Sequence, residues 1–151
     1  MTEVTIRPMV KQDYDKVHDL WKSIHNFGLL DIDDTEERIS DFLDRNPNLS
    51  AVAVKGDDIV GTILCGHDGR RGSFYHVCVR EDLRKQGIGK AMSVFCMRAL
   101  KDAGISTVAL QTYKRNNLGN SFWNSEGYKL RDDYNTYDFL LNEENITRFN
   151  S

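Results

Sequence analysis

The sequence lacks any apolar run near the roughly 20 residues a bilayer span requires; "AVAV" and "IVGTILC" have the length of strands. The opening "MTEVTIRPMVKQD" is too polar for a secretory signal, so a soluble, cytoplasmic protein with no membrane partner is expected. Cysteine is scarce. Cys65, Cys78 and Cys96 are odd in number, lack metal-ligand spacing and lie in apolar segments, which argues against a disulfide or zinc framework and predicts buried free thiols with no metal. In a cytoplasmic chain the sequon "NIT" at Asn145 has no meaning.

A dominant basic stripe is also missing. The formal net charge is -3, which argues against a nucleic-acid partner. The charge is nevertheless uneven. Between residues 70 and 90, Arg70, Arg71, Arg80, Arg84, Lys85 and Lys90 face only Glu81 and Asp82, leaving +4 there and -7 elsewhere. Such a patch suits a small polyanion.

At 151 residues the chain predicts one domain over 1–151. "EVTIR" alternates as a first strand, and Tyr14, Val17, Trp21 and Ile24 share one face of a helix from Lys11 to His25. A second helix is expected from Thr35 to Asn46, where "NPN" stops it. "SAVAVKGDDIVGTILCG" reads as two strands around a Gly-Asp-Asp turn, and "GSFYHVCV" as a third after the loop "HDGRRG". Ile88, Met92, Phe95, Ala99 and Leu100 form a helical stripe ending near Gly104. "STVALQT" reads as a strand, "LGNSFWNSEG" as a short helix, and "YKL" and "NTYDFLL" as closing strands, with "NITRFNS" a loose end. The expected order is βααβββαβαββ.

The segment "VREDLRKQGIGKAM" leads from a strand into a helix through Gly87 and Gly89. Unsatisfied N–H groups at the positive end of a helix dipole favour an anion, and glycine lets it approach closely. A Rossmann fingerprint would need a glycine where Met92 stands, and no Walker loop is present.

Arg84, Gly87 and Gly89 spell R-x-x-G-x-G behind the strand "VCV", and this resembles the acetyl-CoA-binding motif of the GCN5-related N-acetyltransferase (GNAT) family. "NNLGNSFWNSEGY" is similar to the family's second signature. The resemblance implies an α/β fold of GNAT type, a mixed, mostly antiparallel central sheet flanked by helices. It implies acetyl-CoA as co-substrate and transfer of its acetyl group to the primary amine of a small molecule or peptide, by direct attack in a ternary complex. The backbone of Val77, Cys78 and Val79 would then pair with the pantetheine arm. The amides of Arg84, Lys85, Gln86, Gly87, Ile88, Gly89 and Lys90 would cradle the diphosphate, with Asn116 and Trp123 completing the cofactor set. The Val77 amide would stabilise negative charge on the acetyl oxygen. Family members are often dimers, so the resemblance allows a homodimer.

The usual catalytic side chains are absent. Trp123 replaces the family's tyrosine acid, and Ser73 and Gln111 occupy the strand positions of its glutamate. Tyr113, on the same strand face as Gln111, is the candidate acid, and His76 a second catalytic candidate that also fits a packed histidine sharing a face with Phe74 and Cys78. The alternative function is a non-catalytic acyl-CoA-binding or regulatory module of the same fold. The acidic connection "LLDIDDTEER" offers Asp31 and Asp33 as binding residues for a cationic amine, whereas Asp34 and Glu37 have capping-box spacing.

Overall fold

In the computed structural model, which describes residues 3–151, the alternating segment Val4–Pro8 forms β1 and pairs antiparallel with β3 (Ala51–Lys55). β3 turns through Gly56 into β4 (Asp58–His67), and β4 turns into β5 (Gly72–Val79), both pairings antiparallel. β6 (Val108–Ala109) joins β5 in parallel, giving the order β1-β3-β4-β5-β6. The fold is therefore a mixed α/β one around a mostly antiparallel sheet, as expected.

Helices cover both faces of the sheet. α1 (Tyr14–Ser23) turns Val17, Leu20 and Trp21 inward, and α2 (Glu36–Arg45) turns in Ile39 and Leu43; these pack with Val52, Leu64 and Cys78 in one apolar cluster. α3 (Ile88–Asp102) takes the other face, where Cys96 meets Cys65. Gly61 allows this close approach, because a Cβ there would lie 2.8 Å from the Met92 methyl. All three cysteines are free and buried, as expected from their apolar surroundings.

The helix boundaries refine the periodicity reading. The first helix begins with a single 3-10 turn over Lys11–Asp13, held by a two-pronged Arg7–Asp13 ion pair at 2.8 Å and by the Val10 N–H on the Asp13 carboxylate. α2 starts one residue inside the expected span because Thr35 is its N-cap, accepting the Arg38 N–H. The capping box expected of Asp34 and Glu37 is not formed.

Within the expected 1–151 domain, contacts gather into two compact units: residues through Leu110 together with Glu144–Ser151, and Gln111–Glu143. The second unit carries α4 (Asn117–Ser125). Two expectations fail near the C-terminus. "YKL" and "NTYDFLL" form no strands, because no ladder partner flanks them among the described residues; Tyr137, Phe139 and Leu141 stay exposed. "NITRFNS" is not loose. Its Thr147–Phe149 is β7, antiparallel to β2 (Gly28–Leu30), a strand pairing that the local pattern did not reveal.

Candidate active site

The register of β5 breaks at one place. Thr62 opposes Cys78 and Leu64 opposes Tyr75, so the single residue Ile63 faces both His76 and Val77. The extra residue is a bulge, and His76 takes a left-handed φ of 48° there, uncommon for a residue with a Cβ. Strain of this kind persists only where the surroundings enforce it. Buried Trp21 donates its indole N–H to Thr62 Oγ1 at 2.9 Å, and that hydroxyl donates to the His76 carbonyl at 2.8 Å.

The bulge also redistributes the side chains. Tyr75 packs edge-on against Phe42 of α2, while the His76 ring lies 4.7 Å from Trp21 and 5.0 Å from Phe27. Two consecutive residues therefore lean to the α1–α2 side. Phe74 lies opposite Cys65 on the α3 side, so Phe74, His76 and Cys78 do not share one face as strict alternation predicts. His76 Nε2 sits 2.7 Å from Asp34 Oδ1, with the two side chains only 14% and 6% exposed. Asp34 thus serves as this histidine's partner rather than as a cap. Sequence reasoning missed this role; the one available signal was Thr35, a good N-cap that leaves Asp34 free for other work.

Val77 follows the bulge on a strand with an open side. β6 pairs with β5 only at Gly72 and Ser73, so from Phe74 to Val79 the sheet ladder continues on the β4 side alone. Burial pushes the Cys78 thiol up to about 11, against the opposing effects of its Thr62 contact and of Arg84. It stays protonated at neutral pH.

Beyond β5 the chain makes a one-turn helix at Glu81–Leu83 and reaches the glycine turn. Lys85 and Gly87 both have positive φ, 63° and 82°, and Gly87 is the N-cap of α3 with no side-chain cap bond. Two left-handed residues in three positions gather successive N–H groups into an anion-binding concavity. Among the described residues, no protein acceptor serves the amides from Lys85 to Lys90; the first satisfied is Ala91, on the Gly87 carbonyl at 3.0 Å. A Cβ on Gly87 would meet nothing within 4 Å, so the space in front of the turn is open. Arg84, exposed, lies 4.0 Å from Glu81, whose carboxyl is held below its usual range by the hydrogen bond from His25 and by the nearby charges. These residues fit a diphosphate.

Asp31 and Asp33, expected to attract a cation, have partners within the chain. Arg148 holds the Asp31 carboxylate at 3.0 Å, and Asn145 donates to Asp33 at 2.9 Å while accepting the Ile32 and Asp33 N–H groups. Asn150 donates to the Trp21 and Ile24 carbonyls. The C-terminal strand is thereby tied to the acidic connection.

In the second unit, Asn116 caps α4 by accepting the Gly119 N–H at 2.9 Å. Trp123 is buried with its ring against Phe122 and Tyr128, while Tyr113 is exposed under the Arg115 guanidinium.

Comparison with known proteins agrees with the architecture. The chain is 29% identical over 127 residues to an acetyltransferase of Sodalis glossinidius (strain morsitans), an alignment covering 84% of this chain and 88% of the relative. Among solved structures, the PaiA N-acetyltransferase of Thermoplasma acidophilum in complex with coenzyme A superposes with a TM-score of 0.75 at 14% identity, covering 98% of each chain. The ribosomal-protein-alanine N-acetyltransferase of Brucella melitensis biovar Abortus 2308 gives 0.69 at 17% identity, covering 93% of this chain and all of that one. The model of the acetyltransferase (GNAT) family matches residues 14–128, and with the glycine turn at the head of α3 in place, the chain belongs to that family.

Proposed function

We propose that this protein is an acetyl-CoA-dependent N-acetyltransferase that moves the acetyl group to a primary amine. The observation that carries the reading is the uncapped N-terminus of α3. Its unpartnered amides from Lys85 to Lys90, with Arg84, Lys85 and Lys90 around them, offer a dianionic diphosphate both hydrogen bonds and charge.

When bound, acetyl-CoA supplies a thioester carbonyl open to attack by an amine. The chain's part is to hold that group along the open side of β5 through Val77, Cys78 and Val79, and to aim the Val77 amide at the acetyl oxygen. Direct transfer in a ternary complex is supported by the state of the cysteines: Cys78 is buried and protonated, and contact with Cys65 together with burial pushes the Cys96 thiol far up. Neither is a competent nucleophile for an acyl-enzyme. Water would protonate the departing thiolate.

The acceptor proposed is cationic, a polyamine-like molecule or a basic peptide terminus, drawn to the acidic connection before α2. Asp31 and Asp33 contribute charge there, although Arg148 offsets part of it. The test is thiol release from acetyl-CoA in the presence of polyamines, aminoglycosides and basic peptides. Amine-dependent release supports the reading, and tight acetyl-CoA binding without release to any amine would favour the non-catalytic module.

A further inference from the structure

Asp34 and His76 come from distant parts of the chain, and both are nearly buried. Two donors converge on the Asp34 carboxylate: the Leu30 N–H reaches Oδ2 at 2.7 Å, and His76 Nε2 lies 2.7 Å from Oδ1. The backbone of Asp34 is fixed as well, since its carbonyl accepts the Tyr14 hydroxyl at 2.6 Å and its N–H donates to the Leu30 carbonyl. A carboxylate only accepts, so this contact puts the histidine proton on Nε2 and leaves a lone pair on Nδ1. Among the described residues Nδ1 has no hydrogen-bond partner, yet no fully buried side-chain nitrogen or oxygen there lacks one. Nδ1 is therefore open to solvent, one residue from Val77 on the open stretch of β5.

Resting on the acetyltransferase reading, we propose that His76 accepts the amine proton through Nδ1 and that Asp34 is its positioning residue. As the neutral amine nitrogen bonds to the acetyl carbonyl carbon, the C–S bond breaks with its electron pair on sulfur. The nitrogen's proton passes to Nδ1, and the imidazolium is held against Asp34 until it returns the proton to water. The other groups around the ring leave this assignment intact. Trp21 and Phe27 carry no charge, Tyr14 bonds the Asp34 backbone rather than the ring, Thr62 bonds the His76 carbonyl, and Cys78 on the same strand is a neutral thiol.

Asp34→Asn separates positioning from packing. An asparagine has one acceptor for two donors, and the Leu30 N–H cannot change its role. The amide NH₂ then turns to His76, which must accept on Nε2 and carry its proton on Nδ1, the wrong tautomer for a base. His76→Asn removes the base while keeping a residue type that tolerates positive φ.

The experiment combines ¹⁵N NMR of labelled histidine, calorimetry with acetyl-CoA, and the pH dependence of kcat/KM with spermidine and with a basic peptide bearing a free α-amine. Wild type should show Nε2–H at His76 and Asp34→Asn should show Nδ1–H. Both variants should lose about 10²- to 10⁴-fold in kcat/KM, with acetyl-CoA affinity kept within about twofold, and His76→Asn should lose the acid limb of the profile. An Nδ1–H tautomer in wild type overturns the proposal without any reference to turnover. So does a His76→Asn protein that binds acetyl-CoA and keeps the wild-type pH profile. Failure of wild type to bind acetyl-CoA, by contrast, overturns the acetyltransferase reading itself.

Discussion

The two ends of the proposed reaction are built from different materials. The glycine turn is a backbone construction: among the described residues no protein acceptor serves the amides from Lys85 to Lys90, and no side chain caps α3. The acidic connection before α2 is a side-chain construction, in which Asp31, Asp33 and Asp34 are held by Arg148, Asn145 and His76 from elsewhere in the chain. A backbone cradle suits a ligand that never changes. A side-chain lattice can be altered residue by residue, and that suits the part of the site that selects an acceptor.

The sharpest way to break this contrast is Gly89→Val. Position 89 is the second residue of α3, where valine is compatible with a helix but places a branched side chain at the proposed cradle. Losing one or two charge-assisted hydrogen bonds of about 1.5 to 3 kcal/mol each weakens acetyl-CoA binding from about tenfold to about twenty-thousandfold, with the melting temperature nearly unchanged. Unchanged calorimetric affinity would place the diphosphate elsewhere.

Asp13→Asn probes the side-chain half at its base, because Arg7 and Asp13 anchor the start of α1, the helix that carries Trp21 to His76. Burial pushes the Asp13 carboxyl up, but the hydrogen bonds from Arg7 and Val10 and the charges of Arg7 and Lys16 outweigh it and hold the carboxyl below its ordinary 3.8. A depressed carboxylate contributes stability that is present above the unfolded value and lost as pH falls through the folded one. The variant should be less stable by about 1.5 to 3 kcal/mol at pH 7 in urea unfolding. That gap should close once the pH drops below the folded value. A gap independent of pH would mean that the ion pair does not anchor the helix.

The smallest effect is expected from neutralising Asp31 and Asp33 together. Exposed charges contribute about 1 kcal/mol or less, and Arg148 already offsets one of them, so KM for a cationic amine should rise only a few-fold. The rise should shrink at high salt, and acetyl-CoA affinity should not move. A KM indifferent to both salt and the substitutions would remove these two carboxylates from the acceptor site.

This contrast also decides what could be read from the sequence. The glycine turn was legible because Gly87 and Gly89 between a strand and a helical stripe state their purpose locally. The sheet core followed from the apolar strands, and α2, expected from Thr35 to Asn46 and found at Glu36–Arg45 between those two caps, from its period and its stop. The bulge at His76 was not legible, because it depends on the hydroxyl of Thr62 and the indole of Trp21, 14 and 55 positions away. Asp34 lay hidden among four neighbouring acids, Asp31, Asp33, Glu36 and Glu37, and its role appears only when β5 is folded against the connection. Nor did polarity at Asn145, Arg148 and Asn150 suggest a strand, since those residues bond the turns beside β2 rather than an apolar face.

The most direct test of the central claim is a titration of coenzyme A into ¹⁵N-labelled protein, followed amide by amide. The account predicts the largest shifts at Lys85 through Lys90 and along Val77–Val79, with those at Asp31 to Asp34 small until an amine is added. Shifts absent from the head of α3, or centred on the acidic connection with coenzyme A alone, would contradict it.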